Sequence, residues 1–157
     1  SYCYYPPIGE RSFGPMRAQL VHGSEYFVNA NKNILSFAMI ETKQAVENID
    51  YILSVPNLTG VYIGPADMSS SYGLTPKFDV KEDPVFSNIK LIAKKAKEYG
   101  KIAGIHNGST SYAKEMISLG YNFVTVLSDF RIMSSYSQKV IDEMKNNEKD
   151  NVGSNSY

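Results

Sequence analysis

Four short apolar runs alternate with four segments of helical spacing, and this alternation constrains the fold more than any other feature of the chain. The runs are residues 34–40, 61–63, 102–105 and 123–127. They are short, continuous and rich in β-branched or aromatic residues, so they read as buried strands. Between them, apolar residues recur three and four positions apart. Ala45, Ile49, Ile52 and Leu53 mark a helix over 42–54. Ile89, Ile92, Ala93 and Ala96 mark another over 84–99, with Lys90, Lys94, Lys95 and Lys97 on its solvated side. Residues 111–119 and 132–144 complete the set. Gly100 and Gly120 fall where helices should stop. Strict strand–helix alternation means a parallel sheet with helical crossovers. There is no G-x-G-x-x-G and no G-x-x-x-x-G-K, so a doubly wound nucleotide-binding fold has little support.

A length of 157 residues is enough for one core, with 1–145 expected to form a single domain. Sixteen basic residues balance sixteen acidic ones, so no net field favours nucleic acid or an anionic membrane. The apolar runs are too short to span a bilayer. No charged-then-apolar leader is present, and the single Cys3 fits a reducing compartment, so a cytoplasmic protein is expected. Residues 5–15 carry three prolines and two glycines and should be irregular. Residues 146–157 are polar and should form a frayed, disordered tail.

Candidate chemistry sits at the ends of the first two strands. The run 61–63 stops at Gly64-Pro65, and Asp67 follows at once. The run 34–40 stops at Glu41-Thr42. Acids at the carboxyl ends of consecutive buried strands are a usual seat for a divalent metal in an α/β barrel. The competing reading is that each acid merely caps the following helix. Free N–H groups at the start of a short helix after Gly64-Pro65 should also suit an anion.

Several motifs occur in order along the chain. They are Tyr5-Pro6-Pro7-Ile8-Gly9-Glu10-Arg11, Asn29-Ala30-Asn31, Ile40-Glu41-Thr42, Glu47-Asn48-Ile49, Ile63-Gly64-Pro65-Ala66-Asp67-Met68-Ser69 and Tyr72-Gly73. With them the chain resembles the metal-dependent class II pyruvate aldolases of the HpcH/HpaI family, over residues 5–144. The resemblance implies part of a TIM (β/α)8 barrel, which in full needs about 250 residues. The Tyr-Pro-Pro loop follows the fourth strand in that family, so the four units here would be strands five to eight, the carboxyl-terminal part. It also implies Glu41 and Asp67 as ligands of Mg2+, Mn2+ or Co2+, with the Ala66 N–H and Asp67 holding the pyruvate carboxylate end. Met39 stands where some members place a substrate-binding Gln, and a Met cannot donate that hydrogen bond. The family's catalytic base His and its enolate-stabilising Arg would lie upstream, so no catalytic residue is expected within these 157, and neither His22 nor His106 matches the base.

The implied reaction is cleavage of a 4-hydroxy-2-oxo acid to pyruvate and an aldehyde through a metal-bound enolate. A citrate-lyase-like carbon–carbon lyase is the alternative in the same fold. A non-catalytic half-barrel that works only by assembly is the alternative outside enzymes. His106 would sit on the rim facing substrate or be a solvated loop residue. Asp129 is expected to cap a helix, and Arg11 and Arg17 to make structural salt bridges. An inner sheet face built from Phe37, Met39, Tyr62, Ala103 and Val124, or their alternates, would have no helix over it, so a homo-oligomer is expected.

Overall fold

A computed structural model describes residues 2–152, with the side chains of 2–145. Two helices come first, α1 (Met16–His22) and α2 (Tyr26–Asn33). The strand–helix series follows: β1 (Phe37–Ile40), α3 (Lys43–Glu47), α4 (Ile49–Leu53), β2 (Gly60–Ile63), α5 (Pro65–Ser71), α6 (Val85–Glu98), β3 (Ile102–Asn107), α7 (Thr110–Ser118), β4 (Phe123–Val126) and α8 (Asp129–Val152). The four strands form one parallel sheet in the order β1-β2-β3-β4. No helix among the described residues is long and apolar enough to cross a membrane.

Local chemistry explains most boundaries. Thr42 caps α3 by accepting from the Ala45 N–H, and Ser109 caps α7 by accepting from Tyr112. Gly100, at φ 63°, turns the chain out of α6 where a side chain would be strained. The helix expected over 42–54 is interrupted at Asn48, whose side-chain amide donates to the Gln44 carbonyl. That local bond competes with helix continuation. Strand β1 begins at Phe37, later than the apolar run, because Ser36 is tied by its N–H to Thr59 Oγ1 outside the ladder.

The ladder register decides which side chains share a face. Ala38, Ile40, Val61, Ile63, Ala103, Ile105 and Val124 point to the side occupied by α3 to α7, and all belong to or pack on one apolar cluster. Helix α6 buries Val85, Ile89, Ile92, Ala93 and Ala96 there, as its spacing indicated, and leaves Lys90, Lys94 and Lys97 exposed. Lys95 bonds Asp50 at 2.9 Å, tying α6 to α4. Each has its charged form favoured: hydrogen bonding to Asp50 raises the Lys95 pKa, and the same bond lowers that of Asp50.

The opposite face carries Phe37, Met39, Tyr62, Gly104, Phe123, His106 and Thr125. Ala103 and Val124, expected on this inner face, are on the covered side; their alternates Gly104 and Phe123 take their place. Met39 and Phe123 are 55% and 43% exposed, so this face is open in the chain. It is also concave. The Phe37 and Phe123 rings belong to the two edge strands, yet their centroids are 5.2 Å apart. Three strand spacings in a flat sheet would separate them by about 14 Å. A Cβ on Gly104 would stand 2.6 Å from the Tyr62 ring, so only glycine lets that ring lie across the curl.

Helix α8 covers a longer stretch than 132–144 and reaches into the segment expected as a tail; residues 153–157 lie outside the described residues. From 129 to 145 it is exposed, including Phe130, Met133, Val140, Ile141 and Met144. The cause is topological. A crossover helix packs in the groove between its strand and the next, and among the described residues β4 has no next strand.

The leading segment is held by polar and aromatic contacts rather than by the sheet. Asn31 clamps Tyr5, accepting from its N–H at 2.7 Å and donating to its carbonyl at 2.9 Å. The buried Tyr5 ring packs on Phe27 at 4.9 Å and on the Arg11 guanidinium at 4.6 Å. Arg11 also donates to Tyr26 Oη at 3.0 Å. The salt bridges expected of Arg11 and Arg17 do not form among the described residues: aromatic rings take Arg11 and solvent takes Arg17.

Candidate functional site

Parallel strands end together, so the residues that follow them gather at one end of the sheet. Glu41 follows β1 directly, and Asp67 lies in the first turn of α5, just past β2. The residue between them in space is Gly64. A Cβ on Gly64 would stand 3.0 Å from Glu41 Oε2 and 3.9 Å from Asp67 Oδ2. The two oxygens are thus at most about 7 Å apart, a bound that contains the ~3 Å spacing of two oxygens on one Mg2+ ion. A methyl at 64 would press on Glu41 Oε2, which would have to give by a few tenths of an ångström.

Neither acid caps a helix. Thr42 caps α3, Gly64 stands at the N-cap of α5, and neither carboxylate has a hydrogen-bond or ion-pair partner among the described residues. Two adjacent carboxylates with no cation beside them repel, and a bound cation removes that repulsion. No cluster of three or more His, Cys, Asp and Glu occurs among the described residues, so a cation here would take two protein carboxylates and fill its other positions from water or substrate. That donor set, two hard oxygens in an open cleft, fits Mg2+ and its relatives.

The cleft measures about 230 Å3 and is lined by Met39, Glu41, Tyr62, Gly64, Pro65, Ala66, Asp67, Phe78 and His106. All four residues singled out in the sequence, Glu41, Asp67, Ala66 and Met39, therefore face one space. At its floor, Pro65 has no N–H to give, while Ala66 and Asp67 have N–H groups ahead of the first intrahelical bond, which runs from Met68 to the Gly64 carbonyl at 2.9 Å.

The cleft also brings in residues the sequence did not single out. Tyr62 comes from β2 and Phe78 from the irregular stretch before α6; Thr125, from β4, does not line the cleft but bonds two residues that do. Tyr62 Oη and His106 Nδ1 both hydrogen-bond Thr125 Oγ1, the latter at 3.0 Å. Phe78 meets the His106 ring edge-on at 5.0 Å, and the Arg131 guanidinium lies 4.6 Å from the centre of the Phe78 ring. His106 is thus half-buried and fixed from two sides rather than a solvated loop residue. Strand parity was the available signal, since Tyr62, His106 and Thr125 all point to the open face once register is known. Asp129 is the first residue of α8; its carboxylate accepts from the Phe130 N–H, while Ser128 Oγ accepts from Arg131 and is the capping group.

Known proteins match this chain in sequence and in fold. The profile of the HpcH/HpaI aldolase/citrate lyase family matches residues 1–134. The chain is 40% identical over 141 residues to a hydroxypyruvate/pyruvate aldolase of Rhizorhabdus wittichii, covering 90% of this chain and 56% of that protein. It is 32% identical over 143 residues to a 5-keto-4-deoxy-D-glucarate aldolase of Citrobacter koseri, covering 90% and 55%. A crystal structure of an HpcH/HpaI aldolase from Desulfitobacterium hafniense superposes with a TM-score of 0.79 at 25% identity, over 92% of this chain and 56% of that one. The chain thus spans about half the length of the relatives it matches, and its four strand–helix units are about half of a TIM-barrel aldolase fold.

Proposed function

The chain belongs to the HpcH/HpaI aldolase/citrate lyase family, and on that premise we propose that it supplies the cation-binding part of a metal-dependent pyruvate aldolase. The reaction is the reversible cleavage of a 4-hydroxy-2-oxo acid to pyruvate and an aldehyde. One observation carries the reading: Glu41 and Asp67, unpaired and at the ends of consecutive strands, flank the single position, Gly64, that has no side chain. Glu41 and Asp67 would hold Mg2+, Mn2+ or Co2+, and the ion when bound supplies Lewis-acid polarisation of a 2-oxo acid carbonyl. The N–H groups of Ala66 and Asp67 orient the substrate carboxylate at the start of α5. Met39 lines the cleft without donating a hydrogen bond, so it excludes water rather than selecting an oxygen. The relatives named for pyruvate, hydroxypyruvate and keto-deoxy-glucarate substrates support the 2-oxo acid class.

In this reading the base His and the enolate-stabilising Arg come from outside the 157 residues. The open concave face and the exposed apolar residues of α8 support assembly with further chain, either a second copy or a complementary half-barrel.

Titration with Mn2+, followed by electron paramagnetic resonance, tests the site. Glu41→Gln and Asp67→Asn should each weaken Mn2+ binding by at least about tenfold, since even outer-shell changes at metal sites cost about 10–100-fold. Unchanged affinity in both variants would overturn the proposal. Pyruvate release from 4-hydroxy-2-oxo acids should be absent for the chain alone, because loss of a positioned acid–base group costs about 10²–10⁴-fold. Robust turnover would instead locate the base within these residues.

A further inference from the structure

The open face carries a hydrogen-bonded relay that the metal chemistry does not use. Tyr62 Oη, Thr125 Oγ1 and His106 Nδ1 are joined in series, across strands β2, β4 and β3. His106 and Tyr62 both line the cleft that holds Glu41 and Asp67, and Nε2 of His106 has no partner among the described residues.

The acid and base strengths of the partners set the direction of this relay. Thr125 and Tyr62 each own one hydroxyl proton, and a neutral imidazole owns one N–H. If Tyr62 donates to Thr125 and Thr125 donates to Nδ1, both hydroxyl protons are used, and the imidazole proton must sit on Nε2. In the reverse order Nδ1–H donates to Thr125 and Thr125 donates to Tyr62. The Tyr62 proton is then the one left with no acceptor among the described residues. Each order leaves one donor over, Nε2–H in the first and Tyr62 Oη–H in the second; the first is favoured because a phenol is the stronger acid and an imidazole nitrogen the stronger base, so it sets better donors against better acceptors. Phe78 against the ring edge holds the imidazole in the plane the relay sets.

We infer that His106 is a specificity-determining residue that presents an Nε2–H donor to the cleft and selects 2-oxo acids bearing an oxygen substituent beyond the reacting head, with Thr125 and Tyr62 as its positioning residues. This rests on the aldolase reading of the same cleft. Apart from the two carboxylates and the relay, the side chains lining the cleft are Met39, Pro65, Ala66 and Phe78, which accommodate a bare methyl but offer an added hydroxyl nothing. His106 supplies the one neutral side-chain donor in the cleft that the relay leaves unused. Pyruvate and 3-hydroxypyruvate differ by one hydroxyl and make the minimal pair of probes.

Long-range proton–nitrogen correlation spectra of the full chain read the tautomer directly, with His106→Gln assigning the signal apart from His22. His106 should carry its proton on Nε2, and Thr125→Val should erase that preference. With Mg2+ present, hydroxypyruvate should bind about three- to tenfold more tightly than pyruvate, the range of one net hydrogen bond. His106→Leu should abolish the difference, and His106→Gln, which keeps a donor near Nε2, should retain part of it. An Nδ1–H tautomer, or equal affinities with pyruvate binding intact, overturns the role of His106 alone. Failure of both acids to bind with Mg2+ overturns the aldolase reading and the selectivity with it, while the tautomer still decides the relay.

Discussion

The two faces of this sheet are made by the same four strands and behave as different materials. The covered face alternates Ala, Val and Ile beneath helices α3 to α7, and its central residues Ile40, Val61, Ile63 and Ile105 are wholly buried. The open face carries aromatic rings, a glycine gap, a histidine, a threonine and an exposed methionine. The first holds the chain folded, and the second meets whatever completes the barrel or enters the cleft. A parallel strand buried on both faces ordinarily reads as a continuous apolar run. Here β3 breaks that pattern at Gly104 and His106 on the open side and at the buried Asn107, its last residue, on the covered side, where the side-chain amide donates to the Ile105 and Thr125 carbonyls.

Truncations on the two faces should separate them most sharply. Ile105→Ala on the covered face should cost about 2–5 kcal/mol in urea or thermal unfolding, as buried Ile-to-Ala changes do. Phe123→Asp on the open face should instead act on association. Sedimentation at micromolar concentration should show assembly of the parent chain, and the variant should weaken it by roughly thirtyfold, the scale of a 2 kcal/mol interface hot spot. A monodisperse parent that unfolds cooperatively would show the open face to be self-sufficient and break the contrast.

A smaller effect separates the faces by function. Gly64→Ala places a Cβ against Glu41 Oε2, so it should lower Mn2+ affinity about tenfold, on the scale of outer-shell changes, while leaving the unfolding midpoint near that of the parent.

Alkaline pH probes the covered side alone. Tyr112 and Tyr121 donate to the carbonyls of Val80 and Ile89, and burial pushes both phenols well above their ordinary range. The unfolded phenols lose protons above about pH 10 while the folded ones keep theirs. Stability is therefore fully present below that pH and falls as pH rises past it. Tyr121→Phe should flatten the decline; an unchanged slope would show that burial of this phenol contributes nothing.

Much of the covered face could be read from spacing alone. The inward set of α6 was visible as apolar residues three and four apart, and Gly100 marked its end. Glu41 and Asp67 were also legible, because an apolar run that stops at an acid announces a strand end. The short helices α1 and α2 gave no such signal; α1 buries nothing and α2 only Ala30, so neither carries an apolar stripe to detect. The choice between Ala103 and Val124 and their alternates on the inner face stayed open for a different reason. Each short apolar run is equally consistent with either parity, and a one-residue shift exchanges every side chain between faces.

By itself, then, the sequence determined the number and order of the strand–helix units, their parallel pairing and the two carboxylates at neighbouring strand ends. These depend on interactions within about a dozen residues or on a period that survives in one dimension. Only the tertiary structure decided the curl that brings Phe37 against Phe123, the approach of the Glu41 carboxylate to Gly64, and the relay from Tyr62 through Thr125 to His106. Each of those joins residues from different strands, and their meeting is set by ladder register and sheet curvature, which no single segment of the chain encodes.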